Sequence, residues 1–197
     1  AEIREVLGLH FPISSFDLDL AELHKRVLSL PPVMVAEAHI KGGGILSIKV
    51  EEKTPALLLK KETGFNVLSE HGEYIRSISS REQFSDLPVI TGEGAENAAS
   101  QATAIFKSIY TNLDRVRGLV FVGQRRWNII MKSGQVVMLP ENDPEQAIQK
   151  ILLLDKTEQI LSRKIAVFDF RLPSRITLRV PSDKYGQINS EVIGVRN

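Results

Sequence analysis

At 197 residues with 43% hydrophobic content, the chain can bury one fair-sized core or two small ones. Its net charge of +1, with basic and acidic residues mixed along the sequence, gives no basic stripe for neutralising phosphates and so argues against a nucleic-acid partner. It has no cysteine, which excludes disulfides and thiolate metal sites, and no stretch approaches the roughly 20 apolar residues of a bilayer span.

The chain opens at Ala1, with no signal-peptide pattern, directly into a helical stretch, as a trimmed part of a longer protein would. Residues 2–9 place Ile3, Val6 and Leu7 on one side of a short helix, and Pro12 follows as a breaker. Asp19 is expected to cap a second helix, with Glu22 completing a capping box and Leu20, Leu23, Val27 and Leu30 forming the apolar stripe. Pro31 and Pro32 end it. Residues 33–41 read as extended, residues 42–44 as a glycine turn, and Leu46, Ile48 and Val50 alternate with Ser47, Lys49 and Glu51 as a half-buried strand. The order is ααββ.

Beyond Pro55 the pattern becomes strand-rich. Residues 56–60 and 65–68 are short strands, residues 70–73 a polar turn, and residues 87–92 a strand entering a glycine corner. Ala98, Ala102, Ile105, Phe106, Ile109 and Leu113 follow at helical spacing. Residues 122–141 read as a hairpin: Trp127, Ile129 and Met131 alternate with Asn128, Ile130 and Lys132, Ser133-Gly134 turns the chain, and residues 136–139 return. Asp143 as cap and Pro144 at the first position open another helix, with Ala147, Ile148, Ile151, Leu152 and Leu161 apolar and an end expected near Arg163-Lys164. Two final runs, residues 165–172 and 175–180, alternate with period two, and Pro173-Ser174 makes a tight reversal between them. A last strand of an open sheet has unpaired backbone groups that are either covered or available to another chain.

Several of these stretches carry motifs. Residues 30–33 read LPPV, residues 50–55 VEEKTP, residues 122–127 VGQRRW with LPE at 139–141, and residues 168–179 FDFRLPSRITLR. In that order they resemble the FtsQ/DivIB family of cell division proteins in its alphaproteobacterial form. The corresponding patterns there are LP-W-[VI], V-x-E-x-x-P, VG-x-RRW followed by a glycine turn and LPE, and IDLR-[LY]-x-x-R-x-x-[VL]. Pro32, His39 and Gly42-Gly43 stand where that family has Trp, Arg and Trp-Pro.

The resemblance covers nearly the whole chain and implies an α+β fold. Residues 1–55 would be a POTRA-like unit lacking its first strand, and residues 56–197 a β-rich domain with an open, mostly antiparallel sheet and two long helices. It further implies a non-enzymatic scaffold, without cofactor or metal, that recruits and positions FtsB, which comes as a coiled-coil pair with FtsL, for septal cell-wall synthesis. The chain would be the periplasmic domain of a single-pass inner-membrane protein at the division septum, its cytoplasmic tail and membrane helix lying outside this sequence. The partner site carried over by resemblance is Arg171, Leu172, Ser174, Arg175, Ile176, Thr177 and Leu178 at the C-terminal sheet edge. Backbone hydrogen bonds would supply affinity there, Arg171 and Arg175 would meet acidic groups, and Ile176 or Leu178 would supply apolar contact. Against this stands the reading of those arginines as gatekeepers that blunt an aggregation-prone edge. The alternative function, a POTRA-containing component of an outer-membrane export or assembly machine, calls for tandem modules or a barrel, and the first unit has no internal repeat.

Other candidates are weaker. Arg125 and Arg126 could stack on Trp127, form ion pairs or face a partner, and strand alternation sends one to each side. His10, His24, His39 and His71 have no ligand spacing. Glu51, Glu52, Glu70 and Glu73 read as a solvated strand and turn rather than an acid and base pair. Residues 42–44 lack the helix and Lys-Ser/Thr of a phosphate loop, and Gly92-Glu93-Gly94 reads as a corner.

Overall fold

In the computed structural model, residues 7–8, 18–172 and 175–180 are described. The expected first helix, residues 2–9, lies outside them apart from Leu7 and Gly8. Helix α1, Leu20–Leu28, starts where expected because Asp19 accepts hydrogen bonds from the N–H groups of Ala21 (2.9 Å) and Glu22 (3.0 Å). The Glu22 carboxylate accepts from Arg26 Nε at 3.0 Å, one turn along the helix.

Strand β1, Val33–Lys41, pairs antiparallel with β2, Ile45–Glu52, across the three-glycine turn, with Lys41 opposite Ile45. A bulge between Val33 and Val35 shifts the register, so that Val33 and Ala36, three residues apart, are both buried beneath α1 with Leu23 and Val27. Leu46, Ile48 and Val50 pack partly buried against that cluster.

Residues 57–179 build a nine-stranded sheet. Its strands are β3 (Leu57–Lys61), β4 (Gly64–Leu68), β5 (Tyr74–Ile78), β6 (Val89–Thr91), β7 (Val116–Val122), β8 (Arg126–Met131), β9 (Val136–Met138), β10 (Val167–Asp169) and β11 (Thr177–Arg179). Their spatial order is β11-β10-β9-β8-β7-β6-β3-β4-β5. Neighbours in the order run antiparallel except at β3–β6, β6–β7 and β9–β10, which are parallel. The α+β class and the mostly antiparallel sheet expected from the sequence are those observed.

Alternation sorts side chains to the two faces. Leu57, Leu59, Ile90, Leu119, Trp127, Ile129, Val137 and Phe168 meet helices α2 (Ala99–Ser108) and α3 (Pro144–Glu158), which also pack on each other. The opposite face carries two smaller clusters, one around Leu58, Val67, Ile75 and Val89 and one around Ile130, Val136 and Val167. Ile130, grouped by alternation with Asn128 and Lys132 on the outer side of the hairpin, is therefore also buried, at 4% exposure. Trp127 packs against Phe121 with ring centroids 4.6 Å apart and donates its indole N–H to Gln101 Oε1 of α2 at 3.0 Å.

Three local departures from the sequence reading have physical causes. The stripe from Ala98 to Leu113 is not one α-helix, since 3-10 turns at Ala95–Ala98 and Tyr110–Arg115 flank a ten-residue α2. Asp143 stands at the start of α3, but in the left-handed region (φ 51°) and without a side-chain capping bond. Helix α3 ends at Glu158 rather than near Arg163, because Gln159 turns left-handed (φ 50°) before a 3-10 turn at Ile160–Ser162. Arg163 nonetheless reaches back to donate to the Glu158 carbonyl at 2.8 Å. Asp155 anchors that end of α3, accepting from Arg115 Nη1 and the Leu161 N–H, each at 2.8 Å.

Candidate functional site

Strand β11 forms one margin of the large sheet, with β10 on its inner side and no strand of the described residues on its outer side. Phe168 and Val167 anchor β10, at 0% and 3% exposure, one on each face. The chain is tied in above and below by Val136 N–H to the Ala166 carbonyl (2.9 Å), Ala166 N–H to the Arg179 carbonyl (2.8 Å) and Phe170 N–H to the Met138 carbonyl (2.9 Å). Residues 175–180 are all exposed.

The alternation expected for residues 175–180 gives β11 two chemically different sides. Leu178 lies opposite Phe168 in the ladder, and Ile176, Leu178 and Val180 form an exposed apolar row. On the other side Arg175, Thr177 and Arg179 line a cavity of about 480 Å³, with Arg125, Arg126 and Arg171 completing a set of five arginines. Asp169 and Glu141 are the acidic residues in its wall.

Asp169 is largely committed. Its carboxylate accepts from Arg171 Nε (2.9 Å), Arg171 Nη2 (2.7 Å) and the Arg171 N–H (3.1 Å). The side-chain bond to Arg171 pulls the Asp169 carboxyl below the usual aspartate range against the opposing effect of burial, and nearby Arg179 adds to the lowering. The same bond raises Arg171. Arg126 has a buried Nε with no hydrogen-bond partner among the described residues, and so has Asn128 Oδ1, two residues on along β8. A buried donor left in that state is costly until something accepts from it.

Of the residues carried over by resemblance, Arg171, Leu172, Arg175 and Thr177 line this cavity, whereas Ile176 and Leu178 are exposed on the apolar row. Ser174 lies outside the described residues. The expectation that Arg125 and Arg126 point to opposite sides is corrected: both line the cavity, because Arg125 still belongs to the turn and strand alternation begins at Arg126. The ring against Trp127 is Phe121. Arg179, Asp169 and Glu141 also line the cavity and lie outside the set carried over by resemblance. The Arg175-x-Thr177-x-Arg179 spacing was a usable signal for the first of them, and Asp169-x-Arg171 for the second.

The remaining candidates are dispersed. Glu70 meets Lys107 and His71, Glu73 meets Lys53 and Ser69, and Glu51 meets Lys49. Among the described residues no group of three His, Cys, Asp or Glu could hold a metal, and no helix is long and apolar enough to cross a membrane. Gly92 is a corner with φ 118°, where a Cβ would collide with the Phe121 carbonyl oxygen.

Residues 56–171 match the C-terminal region of cell division protein FtsQ/DivIB, so that β11 lies just beyond the matched segment. The cell division protein FtsQ of Jannaschia sp. is 38% identical over 179 residues, 91% of this chain and 58% of that protein. FtsQ of Cereibacter sphaeroides is 36% identical over 178 residues, 90% of this chain and 58% of its own length. FtsQ of Paracoccus denitrificans is 38% identical over 178 residues, 90% of this chain and 52% of that one. The chain thus spans little more than half the length of these relatives. The solved major extracytoplasmic domain of DivIB from Geobacillus stearothermophilus aligns with a TM-score of 0.41 and 14% identity, over 57% of this chain and 99% of that one. The matched C-terminal region and these relatives place the chain in the FtsQ/DivIB family of cell division proteins.

Proposed function

We propose that this chain is the periplasmic part of a single-pass inner-membrane protein and serves as a non-enzymatic scaffold of the division machinery. Residues 1–55 act as a POTRA-like unit near the membrane and residues 56–197 as the partner-binding domain. The docking edge is β11, where a strand of FtsB, arriving with FtsL, extends the sheet and is positioned for septal wall synthesis. Arg171, Leu172, Ser174, Arg175, Ile176, Thr177 and Leu178 form the contact.

The observation that carries this reading is the two-sided margin. An incoming strand bonded to β11 would set alternate side chains over the apolar row of Ile176, Leu178 and Val180 and over the arginine-lined cavity. Apolar residues would cover the first and carboxylates the second, including one able to accept from Arg126 Nε. The gatekeeper reading accounts for charges on an edge but not for five of them gathered around one cavity.

Titration with the soluble C-terminal part of FtsB tests the proposal. Arg175→Glu is expected to weaken binding by about tenfold, more at low than at high ionic strength, since exposed charge pairs are screened by salt. Ile176→Pro removes a backbone donor beside β11 and is expected to weaken binding at every salt concentration. Unchanged affinity in both folded variants would remove the edge from consideration.

A further inference from the structure

The two clusters beneath the two sheets have no residue in common among those described: Leu23, Val27, Val33 and Ala36 belong to one, and the residues under α2 and α3 to the other. Among the described residues no shared core sets the orientation of the helix and strand pair against the nine-stranded sheet, which turns attention to the join.

That join is short. The Lys53 N–H donates to the Pro32 carbonyl at 2.7 Å, so Lys53 is still fastened to the corner between α1 and β1. The Ala56 N–H donates to the Leu68 carbonyl at 2.9 Å, so Ala56 already belongs to the large sheet. Thr54 and Pro55 lie between. The ring of Pro55 fixes its own φ and disfavours the helical region at Thr54, which narrows the torsional freedom of the join. The Lys53 side chain then bridges the gap. It is 17% exposed, and its Nζ lies 3.6 Å from Glu73 Oε1. The other Glu73 oxygen accepts from Ser69 Oγ at 3.1 Å, and Ser69 is itself buried, its N–H bonded to the Glu73 carbonyl at 2.9 Å. The ion pair thus closes a ring across Thr54 and Pro55 and ends on a turn that is anchored to the large sheet.

We infer that residues 53–56 form a rigid joint that holds the helix and strand pair at a fixed angle to the nine-stranded sheet, so that the two units move as one strut. Proline supplies the stiffness and Lys53 with Glu73 supplies the brace. This goes beyond the docking role of β11 and does not depend on what binds there.

The absence of cysteine makes the test direct. Lys25→Cys on α1 and Lys150→Cys on α3, both at exposed positions, accept spin labels, and pulsed dipolar spectroscopy reads the distance between them. The otherwise unaltered chain is expected to give one narrow distance distribution. Combining Lys53→Met with Pro55→Gly is expected to widen it by about twofold or more, as a flexible tether would. A broad distribution in the otherwise unaltered chain overturns the inference, and so does a narrow one that the double substitution leaves unchanged. Circular dichroism checks that the double variant is folded. Should it not fold, the width in the otherwise unaltered chain and its change in Lys53→Met alone still decide.

Discussion

Asp169 and Arg171 stand two residues apart, so their side chains fall on the same side of the chain and one carboxylate takes three hydrogen bonds from one neighbour. The pair uses Nε and Nη2 of the guanidinium and leaves Nη1 outside it. Because the folded-state pKa of Asp169 lies below its ordinary value, the pair stabilises the fold above the unfolded aspartate pKa, and that contribution is lost as pH falls through the depressed value. Asp169→Asn is therefore expected to cost about 1 kcal/mol near neutral pH, a modest figure because Arg171 is partly exposed to screening solvent. The cost should vanish in acid, below the depressed value. Urea unfolding of both forms at the two pH values checks this, and an equal cost at both would separate the effect from the charge on Asp169.

At the level of elements, α3 begins on a residue whose backbone conformation does not suit it. Asp143 is left-handed and makes no capping bond to offset the strain, so Asp143→Gly is expected to stabilise the protein by up to about 1 kcal/mol, read as a raised denaturant midpoint. An aspartate before proline, opening an apolar periodic run, signals a helix start and does so correctly, but the φ angle on which the chain enters that start is set by the loop before it. The same division holds elsewhere. Strand β1, the Asp19 cap, the hairpin of β8 and β9, and the alternation of β11 could all be read locally, because each depends on spacing or on a side chain within a few residues. The insertion of β6 between β3 and β7, and of β9 beside β10, could not, since parallel pairings join segments far apart in sequence. For that reason a local reading reaches Arg171 and Arg175 but not their meeting with Arg125 and Arg126, which β8 and the turn before it bring to the same cavity.

For the whole molecule, the separation of the two buried clusters predicts unequal stability. Val27 is fully buried in the smaller one, and Val27→Ala is expected to cost about 2 kcal/mol, a large part of what so small a core can supply. Far-ultraviolet circular dichroism should then begin to change at lower denaturant than the fluorescence of the single tryptophan, Trp127, which reports on the larger core. Coincident transitions would mean that the joint also couples unfolding. The sheet has a further consequence that follows from its order of assembly. Strand β11 rests on β10, and β10 reaches its parallel neighbour β9 only after α3 has crossed between them, so this margin depends on the pairing of β9 and on the α3 crossover. A polypeptide interrupted midway, or mispaired at β9, does not complete this margin. The docking proposed at β11 would therefore double as inspection, admitting finished copies and passing over the rest.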